Sequence, residues 1–421
     1  MLEPKSGRTA HTPKPIRLLS KQKLREAWKD SRDSTSNAAR PGIDGVTAQS
    51  FAANLDSNLN GLAKQLRTGA YGPSRLKSVF IPKENSTKER MICIPIVVDR
   101  LVQRAIAGYL VSNKTLPIYN SSSFGFIEGL GTPPAIRRVI ELREKYDWCL
   151  KTDIETFFDN IQRPYLQSRV AQALGKHSLV PIITRIIECD IKLNPNNREK
   201  IRKQGITMGK GLRQGMPLSP ILANLVLSKF DLEIYRNRIP MVRYADDLLL
   251  FFPDKNAASA GHELVKTILD KIELSIPEIE DGSKTIIVAP RQPVDFLGRE
   301  IVYIGSLGKY VARVSDRKIA KIKQQIKTDY SYQSRSKLES TLQETIVELW
   351  QSISAYLGVY KDAHNFPKFD EELRSIARAT ISQMFVDIFG QNALASLTSH
   401  QKNFLGIGHL NFPTGLNDIE T

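Results

Sequence analysis

A chain of 421 residues, 41% hydrophobic and 25% charged, has the length for two or three compact cores and an ordinary composition for a soluble globular protein. Sixty Lys and Arg against 44 Asp and Glu leave a net +16, which favours a polyanionic partner, nucleic acid before membrane. No apolar run approaches the ~20 residues of a membrane span, the basic N-terminus lacks a secretory core, and Cys93, Cys149 and Cys189 are too far apart to suggest a disulfide framework or zinc ribbon, so a cytoplasmic protein is expected.

Residues 1–16 read as a flexible N-terminus, with Pro13 and Pro15 among basic and polar neighbours. A helical pattern follows through KQKLREAWKD, and a Ser/Asn/Ala-rich loop leads to RPGIDGVT at 40–47. Leu59, Leu62 and Leu66 recur at helical spacing. RLKSVFIPK and MICIPI are predicted strands joined by the polar loop ENSTKER, with a helix next through RLVQRAIAGYL. WCLKTDIETFF is an apolar strand running into acidic residues, and 162–204 is mainly helical. In PLSPILANLVLSKFDLEIY, Ser219 is expected to cap a helix and Pro220 to take its first position. MVRYADDLLLFF reads as strand–turn–strand, followed by a helix over about 258–274, a strand at KTIIVA and a hairpin opening at VDFLGREIVYIG. From 315 the chain turns helical and basic. Ser315 is a good cap, Ile319, Ile322 and Ile326 share one face, and Arg317, Lys318, Lys321, Lys323 and Lys327 populate the rest. A mixed body thus precedes a helical tail, and its order is not the strict strand–helix alternation of a doubly wound fold.

The pair Asp246-Asp247 stands inside an otherwise apolar run, where unpaired charge is costly. Alone, such a pair is more often a solvated turn. Nucleotidyl transfer, however, uses two divalent cations about 4 Å apart, held by carboxylates. Adjacent acids at a hairpin tip and a third, Asp153, at the end of a neighbouring strand would make a minimal cage for them.

The remaining motifs decide between these readings. Tyr244-Ala245-Asp246-Asp247 resembles the catalytic hairpin of reverse transcriptases, and other motifs of that family occur in its order. DIETFFD from Asp153 resembles the first metal motif of the palm, and RQGMPLSPILAN the nucleotide-pocket motif. IPKENSTKER resembles the fingers loop that holds the triphosphate, Phe296-Leu297-Gly298 the primer grip, and Lys284-Thr285 the site of a lysine beside the leaving phosphate. RPGIDGVTAQSF, GAYGPSRLKSVFIPK, ICIPIVVDRLVQRAI, SSFGF and LWQSISAYLGVY are similar to the group II intron type of bacterial reverse transcriptase. Arg213 replaces the usual proline before Gln-Gly, and Ile127-Glu128 replaces a basic residue and proline.

The resemblance implies an α+β right-hand polymerase: fingers and palm over 17–305, a helical thumb over 306–385 and a short tail over 386–421. It implies an RNA-directed DNA polymerase that builds DNA from dNTPs, with Asp153, Ile154, Asp246 and Asp247 as the metal set for two Mg²⁺ ions, Mn²⁺ substituting. Lys284 is the expected general acid. Lys83 and Arg90 face the triphosphate, Gln214 the nucleotide or template, and Phe158 gates the sugar while Phe157 fills the core. Tyr244 either shapes the primer end or fills the hairpin. Phe296, Leu297 and Gly298 contact primer, and Arg317, Lys318, Lys321 and Lys323 contact duplex phosphates. Glu155 and Asp159 are expected in solvated or salt-bridged roles and Cys149 in the core. A thumb without intron DNA-binding or endonuclease domains resembles stand-alone, defence-associated enzymes that work with a structured non-coding RNA as template or scaffold. A mobile or retron-like element, or an RNA-binding splicing cofactor with an idle polymerase, is the alternative; a homo-oligomer stays open.

Overall fold

The structure, a computed structural model, describes residues 19–33, 40–82, 89–338 and 340–404. The chain divides into two compact units, Met1–Ala289 and Pro290–Thr421. Among the described residues no helix is long and apolar enough to cross a membrane.

The first unit opens with helices α1 (Lys21–Asp33), α2 (Ala48–Ala52) and α3 (Leu55–Thr68). Strands β1 (Lys77–Pro82) and β2 (Glu89–Ile94) pair antiparallel, as the sequence suggests. Helices α4 (Val97–Ser112) and α5 (Thr132–Arg143) lead to β3 (Trp148–Asp153). Then come α6 (Phe157–Asn160), α7 (Arg163–Leu174), α8 (Val180–Glu188), α9 (Pro195–Lys203) and the long α10 (Ser219–Arg236). The unit closes with β4 (Met241–Tyr244), β5 (Asp247–Phe252), α11 (Lys255–Asp270) and β6 (Ile286–Val288).

Four of these strands form one antiparallel sheet in the order β4-β5-β3-β6. The run Leu248–Phe252 is buried throughout, as a strand covered on both faces must be. Helices α5 and α11 pack on the sheet. Helix α10 buries residues on almost every side, from Ile221 and Leu222 to Phe230 and Ile234, which makes it the central helix of this core.

Three local expectations change. Ser219 does not cap α10: Leu218 occupies that position in a helical conformation, and the Ser219 hydroxyl donates instead to the Arg213 carbonyl at 2.8 Å. Helix α11 starts earlier than 258, because Asp254 accepts a hydrogen bond from the Ala257 amide and caps it. Helix α5 was not singled out in the sequence; its first turn holds Pro133 and Pro134, where proline is favoured.

The second unit begins with an antiparallel meander of β7 (Val294–Phe296), β8 (Arg299–Ile304) and β9 (Lys309–Arg313). Helices α12 (Asp316–Asp329), α13 (Tyr332–Ser336), α14 (Leu342–Tyr360), α15 (Phe366–Phe389), α16 (Gln391–Ala395) and α17 (Ser399–Phe404) follow. Ile319, Ile322 and Ile326 are buried against Leu349, Ile353, Phe369 and Leu373, and Ser315 caps α12. The unit starts ahead of the expected 305/306 division because the meander is bonded to the helices. Arg299 pairs with Asp362, the Val314 amide donates to Asn365 Oδ1 at 2.9 Å, and the His364 amide donates to the Ala312 carbonyl at 2.7 Å. Helix α15 also runs through the expected 385/386 limit, so residues 386–404 are mainly helical.

Candidate active site

The β4–β5 hairpin turns through Ala245 and Asp246. Ala245 has φ +57°, a region where glycine is usual. Across the sheet, register sets Asp153 directly opposite Asp247, and the Ile154 amide donates to the Asp246 carbonyl at 3.1 Å. Three carboxylates therefore meet at one end of the sheet. Like charges directly opposite one another are destabilising, and the site carries the marks of that repulsion. Asp247 is solvent-accessible, yet the protein around it still desolvates its carboxyl and, with Asp246 and Asp153, pushes its pKa up to about 6. Asp246 is also raised, by desolvation first and then by Asp153, against the pull of Arg90 and Lys284. One oxygen of Asp153 accepts from the Lys284 ammonium; the other, Oδ1, is buried with no hydrogen-bond partner. Three carboxylates at one end of the sheet, one of them with an orphaned buried lone pair, offer the oxygen donors that a hard divalent cation takes. Ile154 can offer such an ion only its carbonyl, since its side chain is a hydrocarbon with no donor atom.

What holds the turn was not singled out from the sequence. Arg243, fully buried, donates through Nε and Nη2 to both oxygens of Asp231 at 2.7 and 2.6 Å. It also reaches Asn224 Oδ1 at 3.0 Å, Ser123 Oγ at 2.8 Å and, across the turn, the Ala245 carbonyl at 3.1 Å. A bidentate pair of this kind is strong and directional. On the outer side of β4, the Phe124 amide donates to the Arg243 carbonyl and the Arg243 amide to the Ser122 carbonyl, at 2.9 and 2.7 Å. At Gly125 a Cβ would lie 2.6 Å from the Ala245 nitrogen, so only glycine lets this loop lie against the turn.

The residues expected to meet the nucleotide are placed as follows. Arg90, exposed on β2, is near enough to pull on Asp246; Lys83 lies outside the described residues. Phe157 is buried and Phe158, edge-on to it at 5.3 Å, is half-buried. The Phe158 carbonyl accepts from the Leu212 amide at 2.7 Å, which ties this segment to the loop carrying Gln214. That loop is tied in turn to β2: the Cys93 amide donates to the Gln214 carbonyl at 2.7 Å, and a Cβ at Gly215 (φ +98°) would sit 2.5 Å from the Cys93 oxygen. Arg213, the departure from the family pattern, is buried under the loop. It donates to Asp190 Oδ1 at 3.0 Å and the Thr207 carbonyl at 2.8 Å, while Arg163 holds the other Asp190 oxygen at 3.1 Å. Glu155 accepts from the Ser275 hydroxyl at 2.9 Å, and Asp159 stands 4.0 Å from Arg213.

In the second unit, Leu297 (φ +50°) and Gly298 (φ +76°) make the two-residue turn between β7 and β8, with Phe296 buried. Both turn residues are left-handed, which is routine for glycine and strained for leucine. On α12, Arg317 is exposed, whereas Lys318, Lys321 and Lys323 are half-buried and Lys323 pairs with Glu372 at 3.0 Å.

An antiparallel sheet that sets a two-aspartate turn against a third carboxylate is the palm of a right-hand polymerase. The chain belongs to the reverse transcriptase (RNA-dependent DNA polymerase) family, whose sequence model matches residues 81–301, more than half of it. It is 30% identical over 210 residues to Protein YkfC of Escherichia coli K12, covering 47% of this chain and 51% of that one. Identity to the group II intron-encoded protein LtrA of Lactococcus lactis is 26% over 198 residues, 47% of this chain and 31% of LtrA. A shorter stretch, 77 residues, is 40% identical to the retron Ec83 reverse transcriptase of Escherichia coli, covering 17% and 23%. The chain thus spans about half the length of YkfC and less of the others.

Proposed function

We propose that this chain is an RNA-directed DNA polymerase that extends a primer with dNTPs. The observation that carries this reading is the carboxylate trio, with Asp153 Oδ1 buried and unpartnered beside two aspartates whose charges are disfavoured. The first unit supplies fingers and palm and the second the thumb. Reverse transcriptases generally work with divalent metal ions. Asp153, Asp246, Asp247 and the Ile154 carbonyl would hold them, and ions so held would supply the acidity that activates a primer 3′-hydroxyl and the positive charge that offsets the triphosphate. Arg90 and Lys83 bind the triphosphate. Phe158 closes the space at the sugar 2′ position, and Gln214 meets the nucleotide from the loop pinned on β2. Lys284 holds a proton beside the leaving phosphate and gives it up as that oxygen takes on charge.

The test is primer extension on an RNA template with Mg²⁺ or Mn²⁺. Extension that stops with a chelator, and in Asp246→Asn with Asp247→Asn, supports the reading; extension by the double variant overturns it. A structured RNA encoded nearby is the proposed template or scaffold, and sequencing RNA bound to the protein from its host tests that: one enriched species supports it, random cellular RNA opposes it. The anti-phage role rests on family resemblance and is tested by deleting the gene and challenging with phage. Unchanged resistance favours a mobile or retron-like element.

A further inference from the structure

Beneath the Gln214 loop, the single carboxylate of Asp190 is shared by two guanidiniums, those of Arg163 and Arg213. Its Oδ1 accepts from Arg213 at 3.0 Å and from the Ile191 amide at 2.9 Å. Its Oδ2 accepts from Arg163 at 3.1 Å and from the Gly209 amide at 2.8 Å. Arg163 and the two amides would by themselves neutralise and satisfy this aspartate. Arg213, 1% exposed, is therefore the surplus cation. A buried charge in excess is costly unless a further partner offsets it. The Nη1 atom of Arg213 is buried without a hydrogen-bond partner, and Asp159 Oδ1 stands 4.0 Å from it. Asp159 follows Phe158 in α6. The two segments are also joined through their backbones: the Leu212 amide donates to the Phe158 carbonyl at 2.7 Å, and the Gly211 amide to the Ile161 carbonyl at 2.9 Å. At Gly211 (φ +81°) a Cβ would lie 2.7 Å from the Asp159 carbonyl oxygen, an approach only glycine allows.

We infer that Arg213 is a positioning residue that sets nucleotide affinity and sugar choice; this rests on the polymerase reading above. Two residues set against the nucleotide there, Phe158 and Gln214, lie one on each of the joined segments. Arg213 adjoins Gln214 in the chain and faces the carboxylate next to Phe158, so one side chain links the two. Its Nε and Nη2 are anchored on Asp190, and Nη2 also donates to the Thr207 carbonyl at 2.8 Å. Those bonds fix the plane of the guanidinium. From that anchor, the attraction between Nη1 and Asp159 holds α6, and Phe158 with it, toward the Gln214 loop. A displacement of about 1 Å at a reacting site costs rate on the order of 100-fold, so the spacing of these segments matters. Being buried, Arg213 acts through Phe158 and Gln214 and does not itself meet the nucleotide.

The test is primer extension by the full chain with dNTP and with rNTP. Arg213→Met removes the surplus charge, keeps an unbranched side chain and leaves Asp190 paired with Arg163. Its dNTP KM should rise by about 5- to 50-fold and its preference for dNTP over rNTP fall by about 5-fold or more. Duplex affinity and thermal midpoint should stay close to the parent's. A loss of KM, duplex affinity and thermal midpoint together would make Arg213 a residue of the fold and overturn the inference. Asp159→Asn, at a half-buried position, should shift sugar preference in the same direction. The double variant should be no worse than Arg213→Met, because both changes break one interaction; additive losses would overturn the link between the two. A parent-like sugar preference in Arg213→Met, or in Asp159→Asn where the first variant does not fold, would also overturn the inference. Amide hydrogen exchange keeps this inference separable from the polymerase reading. A parent that extends no primer sinks that reading and the effect on nucleotides with it. Faster exchange at Gly211 and Leu212 in Arg213→Met, at an unchanged thermal midpoint, would then leave the positioning role standing, and parent-like exchange would overturn it too.

Discussion

The three clustered aspartates are a liability to the free fold, and that is measurable. Asp247 faces Asp153 across the sheet and adjoins Asp246, and both hairpin acids have raised pKa values. Replacing Asp246 and Asp247 by Asn removes like charge while keeping side-chain size. In chelator, the double variant should be more stable by about 1 kcal/mol after allowance for solvent screening, or about 2 °C in thermal midpoint. A drop in midpoint would mean that the two charges support the fold instead. Phe158 is the other informative position. Its half-buried ring sits edge-on to buried Phe157 at the margin of the core, and its backbone is tied to the Gln214 loop. Phe158→Val should shift the preference for dNTP over rNTP by about 10- to 100-fold, the scale on which removing a few methylene-sized groups changes discrimination. Measured incorporation of both sugars decides it: an unchanged ratio makes Phe158 a packing residue.

Elements position these residues, and one helix end gives a test of how the first unit is held. Asp99, in the first turn of α4, is buried, and desolvation raises its pKa to about 6 in spite of bonds from the Ser74 amide and the Tyr71 hydroxyl, each 2.8 Å. Between its unfolded value near 4 and its folded value near 6, the native state holds a proton that the unfolded state has released. Stability contributed here therefore falls as pH rises through that window, by up to about 3 kcal/mol, and is level above it. Urea titrations of the parent and Asp99→Asn from pH 4 to 7 isolate the effect: parent stability relative to the variant should decline from pH 4 to 6, and parallel curves would contradict the assignment. Much at this scale was legible in the sequence. The strand–turn–strand around Asp246 reads from an apolar run broken by two acids, and the Ile319, Ile322 and Ile326 face reads from its spacing. What was not legible depends on contacts far apart in the chain. Arg243 reads as one polar residue in a strand until folding brings Ser123, Asn224 and Asp231 to it, and Arg213 reads as a departure from a motif until Asp190 is seen beneath it. Ser219 shows the same limit locally, since its hydroxyl had a rival partner in the Arg213 carbonyl.

For the molecule as a whole, an excess of +16 has to be placed before it explains binding. In the second unit, α12 buries Ile319, Ile322 and Ile326 and leaves Arg317 and Lys327 exposed, while Lys323 is engaged by Glu372. The five basic residues of this helix are therefore not equivalent. Neutralising Lys323 also strips Glu372 of its partner, so a loss of binding there would mix electrostatics with local structure. Arg317 and Lys327 lie off the isoleucine face and are the cleaner probes. If α12 tracks the phosphates of a template–primer duplex, each lost contact removes a little under one unit from the slope of log affinity against log salt. Arg317→Gln with Lys327→Gln should therefore flatten that slope by about 1 to 2 units, weaken binding most at low salt, and do so equally for duplexes of different sequence, because phosphate contacts carry no base information. The thermal midpoint should stay put, since neither side chain touches the core. Duplex binding measured from low to physiological salt is the check. An unchanged slope would remove α12 from the duplex path and assign the excess charge to another surface.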